Sequence, residues 1–187
     1  MDKKSLEGIH KQFKYYKQLG DRTFDQVSDE DLFWKPNQES NSIAIIVNHM
    51  SGNMKSRWTE FLTTDGEKPW RNRDLEFENK FSSRDQILEA WEDGWNCLFN
   101  ALNSINESNI DSKITIRNQV HSIPEAIHRQ MMHYSYHIGQ IVYIGRMRGS
   151  KDWSSLSIPK GESEDFNQQK RALGLHEGHF TDNLRNE

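Results

Sequence analysis

His133 and His137, in the stretch HRQMMHYSYHIGQ, are the two residues best placed to do chemistry. On a helix, positions four apart differ by about 40° around the axis. Both imidazoles then reach one cation, as in the helical two-histidine motifs of zinc enzymes. Ala126, Gln130, Ile141 and Ile144 share their edge, which turns the pair toward a helical interior or its rim. His49 flanks a stripe of Ile46, Met50 and Met54, and a histidine in that company needs a partner for its ring. One histidine facing an i, i+4 pair gives three nitrogen donors, as metal sites in bundle cores do. Three neutral imidazoles leave the ion at +2 with a coordination position open, the mark of a reactive metal more than a structural one. The plainer alternative is that HxxxH pairs are common on helices and that a core histidine usually bonds a neighbour. The presence of both features on two bundle helices brings the metal reading level with the plainer one.

Other chemistry is sparse. His128 lies opposite His137 around its helix, His121 precedes a helix start, and His10 has Lys3 and Lys14 nearby. His176 and His179 form a second pair, HEGHF, at three-residue spacing in a polar tail. Cys97 falls beside an apolar stripe and reads as a buried, inert thiol. The glycines at 145, 149 and 161 make no phosphate loop.

Four helices must position the histidines. Leu6, Ile9, Phe13 and Tyr16 mark the first, with Gly20 as its stop. Ser28 and Asp31 make a capping box for one short extra turn. The second long helix starts at Asn41 or Ser42 and runs to about Leu62. A charged loop, residues 63–81, follows; Lys68, Arg71 and Arg73 alternate there with Asp74, Glu76 and Glu78, as on a solvated, charge-paired surface. The third helix carries Ile87, Leu88, Trp91, Trp95, Leu98, Phe99, Leu102 and Ile105, with Ser82 and Asp85 as its start signal. Ile114, Ile116 and Val120 alternate with polar residues in a short extended piece without a second strand. The last helix opens at Ser122 with Pro124 in its first turn and Glu125 closing a capping box, and it stops at Gly149. The reading is all-α: a four-helix bundle with a short extended segment before the last helix and a C-terminal strap and tail. Residues 1–168 form the bundle with its strap (Trp153, Leu156, Ile158, Pro159), and 169–187 a polar, weakly ordered tail.

With 187 residues the chain fits one domain. Its 28 acidic against 24 basic residues, with no basic cluster, argue against nucleic acid as the main partner. No stretch nears the ~20 apolar residues of a membrane span, and no apolar run follows Lys3 and Lys4 as a signal peptide requires. One cysteine fits a reducing compartment, so a cytoplasmic protein is expected.

SIAIIVNHMSGNMKSRWTEFL (42–62) and HRQMMHYSYHIGQIVYIGR (128–146) resemble the DinB-like (YfiT-like) superfamily of metal-dependent four-helix-bundle proteins. The match places its three metal histidines on His49, His133 and His137, followed by the Gly139-Gln140 seen in many members. TTDGEKPWRNRD and WSSLSIPKGES look like a bacterial branch of unknown function. The resemblance implies an up-down-down-up bundle, often a homodimer, with nickel or zinc on the three histidines. It also implies a small-molecule substrate and, from characterised relatives, transfer of a low-molecular-weight thiol to an electrophile. Hydrolysis by metal-activated water, or a non-enzymatic binding module with a structural or vacant site, are the alternatives. Asn53 and Gln140 are candidates to orient a ligand, and Arg57 and Lys160 to meet a carboxylate.

Overall fold

The computed structural model describes residues 2–149 and 153–182. Four long helices carry the fold: α1 (Lys3–Phe24), α3 (Ile43–Trp58), α4 (Arg84–Ser104) and α5 (Ile123–Arg148), with a single turn, α2 (Asp29–Phe33), between the first two. Side-chain contacts fix their directions. Phe13 meets Tyr134 and Thr23 meets Gly145, so α1 and α5 are parallel. Phe13 against Trp95 and Phe24 against Trp91 set α4 antiparallel to α1. Ser51 against Gly94 and Thr59 against Cys97 align α3 with α4. The order is up-down-down-up, and the chain is an all-α helical bundle.

The starts of α2 and α5 are local chemistry. Ser28 with Asp31, and Ser122 with Glu125, form the reciprocal capping boxes read from the sequence. Other boundaries are corrected by packing. Helix α1 passes through Gly20, because a Cβ there would strike the Trp91 ring; the glycine admits a close contact and does not stop the helix. Helix α3 ends at Trp58, short of Leu62, where Thr59 turns extended and Glu60 takes a left-handed φ of 46°. Helix α4 is capped by Ser83, not Ser82, whose N–H and hydroxyl both donate to the Gln86 side chain. The core between the four helices is aromatic: Phe13, Trp91, Trp95 and Tyr134 are fully buried. Burial of each is worth roughly 1.5–3 kcal/mol.

The extended piece is a two-stranded hairpin, β1 (Lys113–Ile116) with β2 (Gln119–Ser122), antiparallel with Ile114 opposite His121. Its turn, Arg117-Asn118, has φ of 56° and 61°, the left-handed pair of a tight hairpin turn. After α5, Trp153 packs on the core and Leu156 is buried, so the strap is ordered. Arg22 donates to the Ser155 and Leu156 carbonyls, and Ser154 N–H donates to Gln26. The strap is thereby fastened to the C-terminal end of α1. A last helix, α6 (Ser163–Ala172), buries no residue, and the chain then returns to α1 through Phe180 on Tyr15 and an ion pair of Asp182 with Lys11. In the expected tail residues 171–178 are exposed and the contacts to α1 are made at 179–182; residues 183–187 lie outside the described residues. Among the described residues no helix is long and apolar enough to cross a membrane.

Candidate metal centre

Helices α3 and α5 bring His49, His133 and His137 together, with one nitrogen of each within 4.8 Å of the others. The Nε2 atoms converge: His133 Nε2 lies 3.2 Å from that of His49 and 3.1 Å from that of His137. The outward nitrogens are engaged elsewhere. His49 Nδ1 is 2.9 Å from Glu76 Oε2, and His137 Nδ1 is 2.9 Å from Gln140 Oε1. An ionised carboxylate only accepts, so His49 donates from Nδ1 and keeps the Nε2 lone pair for the centre. The amide oxygen of Gln140 does the same for His137. His133 has no such outward partner among the described residues: with its proton on Nε2 it donates to one of the other two rings, and with the proton on Nδ1 three lone pairs converge as a cation requires. Two nitrogens about 2.1 Å from one ion, at an angle of roughly 100°, stand about 3.2 Å apart. The donor set therefore fits a divalent ion.

The protonation states agree. Burial lowers the His133 pKa to about 3, helped by His137, His49 and the charges of Arg57 and Arg71. Burial also takes His137 down to about 4, with His49 adding to it and the Gln140 bond opposing. Both imidazoles are neutral at pH 7, the state a ligand needs.

Glu76 belongs to the loop expected to be a solvated surface; Arg73, Asp74 and Glu78 are exposed as expected, but Lys68, Glu76 and the Arg71 side chain are buried. The loop folds onto α3 through a 3-10 turn, Asp74–Phe77. Arg71 and Glu76 side chains are only 2% and 7% exposed, and the guanidinium grips both carboxylate oxygens at 2.7 and 2.8 Å. Burial would raise the Glu76 pKa, but Arg71 and His49 hold it below the usual carboxylate range. Glu67 ties Arg71 to Arg57 and Arg117, each at 3.1 Å. Gly52, one turn along α3 from His49, makes room for this, since a Cβ there would strike Glu76 Oε1. Phe77 stacks on His49 with centroids 4.5 Å apart, and Tyr136 meets His137 edge-on at 5.0 Å.

Sequence reasoning missed Glu76, Arg71 and Phe77. The available signal was the buried His49 itself, which needs an acceptor for its second nitrogen, and the aromatic Phe77 among the loop charges. Of the four residues considered for ligand contact, Gln140 bonds His137, while Asn53 accepts from the Tyr134 hydroxyl, itself the acceptor of Trp58 Nε1–H. Arg57 is buried and spent on the Gly66 carbonyl and Glu67. Lys160 is exposed in the strap, and no interaction among the described residues joins it to the histidines. Cys97 is half-buried, its sulfur 3.5 Å from Thr59 Oγ1, and not fully enclosed as expected.

Fold and site together define a four-helix bundle with three converging histidines backed by a buried carboxylate. The chain belongs to the family described as "protein of unknown function (DUF1572)", whose match spans residues 1–162 and so ends just before α6. No curated protein and no solved structure matches the chain.

Proposed function

We propose that the protein is a divalent-metal enzyme, on zinc or nickel, that joins a low-molecular-weight thiol to a small electrophile, and that its family is a branch of the DinB-like superfamily. The observation carrying this reading is the convergence of three Nε2 atoms with two of the opposite nitrogens already committed to acceptors. The up-down-down-up order and the placement of one histidine on α3 and two on α5 support the superfamily.

A divalent cation held there would acidify a thiol, or water, that joins it and stabilise the resulting anion. The chain's own groups prepare that site. Glu76 and Gln140 hold two rings in the tautomer that presents Nε2 to the centre. Arg71 keeps Glu76 ionised, so the carboxylate stays an acceptor. Phe77 covers one face of His49 and keeps water from it. The chain's one thiol, Cys97, lies against Thr59 and the Met54 carbonyl.

Untagged protein analysed for metals is expected to hold about one ion per chain, and His133→Ala to lose it. Content far below that overturns the metal reading. A model electrophile assayed with and without a panel of thiols then decides the reaction: turnover without thiol favours hydrolysis. We further propose a homodimer built on the outer face of α5. That face exposes Met132, Tyr136, Tyr143 and Met147 at helical spacing, and Gly139 between them has nothing within 4 Å of a Cβ position. Sedimentation velocity of wild type against Tyr143→Glu tests it; an unchanged, monomeric wild type rejects it.

A further inference from the structure

An anionic ligand approaching the three histidines needs a cation that is not already neutralised. Arg71 is forked onto Glu76 and shares Glu67 with Arg57 and Arg117. Lys68 is turned back onto Thr64 and the Asp65 carbonyl. Arg73 differs from all of these. It is exposed, no carboxylate lies within ion-pair distance of it among the described residues, and its guanidinium sits 5.0 Å from the centroid of Phe77. The same Phe77 ring stacks on His49 at 4.5 Å. A single half-buried ring therefore separates an unpaired cation from a ligand of the centre, and the 3-10 turn that carries the ring is fixed by the Arg71–Glu76 grip. The aromatic face orients the guanidinium without neutralising it.

We propose that Arg73 and Phe77 form the recognition arm of this site, and that the thiol it takes carries a carboxylate at the far end of an apolar spacer. The sulfur end goes to the three-histidine centre, the spacer runs along Phe77, and the carboxylate meets Arg73. Arg73 supplies two parallel N–H donors of the kind a carboxylate accepts. The proposal rests on the thiol-binding reading above and narrows it from any small thiol to an organic acid.

The test uses the full chain loaded with one equivalent of cobalt(II), whose absorption changes when sulfur joins the ion. It is titrated with 6-mercaptohexanoate and with 6-mercaptohexan-1-ol, equal in length and differing in the terminal charge. The acid is expected to bind more tightly, and Arg73→Gln to weaken the acid roughly fivefold while leaving the alcohol unchanged. Arg73→Lys should recover part of the loss. Because the ion itself attracts anions, the deciding quantity is the change in the acid-to-alcohol ratio between wild type and Arg73→Gln. An unchanged ratio, with both proteins showing thiol-bound cobalt, overturns the arm and leaves the metal site standing. Failure of cobalt to bind, or of either thiol to alter its spectrum, overturns the underlying reading and the arm with it. Arg73 is on the surface, so a matching thermal melt shows that the variant is folded.

Discussion

Neutral, buried imidazoles make the stability of the metal-free protein depend on pH in a defined window. An unfolded histidine titrates near 6.5, whereas His133 and His137 are held to about 3 and about 4 in the fold. As pH falls through 6.5 the unfolded chain takes up protons that the folded chain refuses, so folding stability drops. Each histidine contributes at most about 1.4 kcal/mol per pH unit. The carboxylates held low (Asp2, Asp31 and Asp65; Glu67, Glu76 and Glu125) act only below their ordinary values of 3.8 and 4.5. Urea unfolding in the presence of a chelator should therefore show stability declining between pH 6.5 and 4.5, and His133→Leu/His137→Leu should flatten that stretch. An equally steep decline in the variant would mean other groups set it. Glu76 yields a second prediction at this scale. Glu76→Gln is expected to weaken metal binding about 10- to 100-fold, as loss of an outer-shell partner does. It should also lower stability by about 3 kcal/mol, because Arg71 is left as a poorly compensated buried charge. Competition with a chromophoric chelator measures the first effect and urea titration the second.

Helices were more legible than loops because their signals are local. A capping box links residues three apart, an i, i+4 pair residues four apart, and His133 with His137 could be read together from their own turn of helix. The partner of His49 could not. Glu76 is 27 residues away, and only the tertiary fold of the loop brings it in. The hairpin turn was equally hidden. Arg117-Asn118 has no glycine, although both residues adopt positive φ. What holds them is Asp65, whose carboxylate accepts the N–H groups of Arg117, Asn118 and Glu67 at 2.7 to 2.8 Å. Despite the opposing effect of burial, those bonds bring its pKa down to about 2. Asp65 thus ties the loop that carries Glu67, Arg71 and Glu76 to the hairpin that precedes α5. Asp65→Ala should lower stability by about 2–3 kcal/mol and increase amide exchange across both residues 63–78 and the hairpin. Exchange confined to one of the two segments would show that they are not coupled through this side chain.

At the scale of the whole bundle, the centre joins the two halves of the fold. His49 comes from the early chain and the other two ligands from α5, so any ion they share crosslinks α3 to α5 through neutral nitrogens. Without an ion, His133 with its proton on Nε2 bridges to His49 by an ordinary hydrogen bond, a weaker link between the same helices. The aromatic contacts of Phe13, Trp95 and Tyr134 at the same level hold the bundle together regardless. The metal-free protein should therefore remain folded, in contrast to small domains whose fold requires the ion. An ion present at 100 times its dissociation constant adds about 2.7 kcal/mol to the folded state. For a chain of this length that corresponds to roughly 5–10 °C in Tm. Scanning calorimetry with zinc or nickel, against chelator, should show that rise in wild type and none in His133→Ala. A chain that unfolds on chelation would make the ion structural and favour a binding module over an enzyme. A wild-type melt that ignores the metal would mean the three imidazoles hold no ion at all.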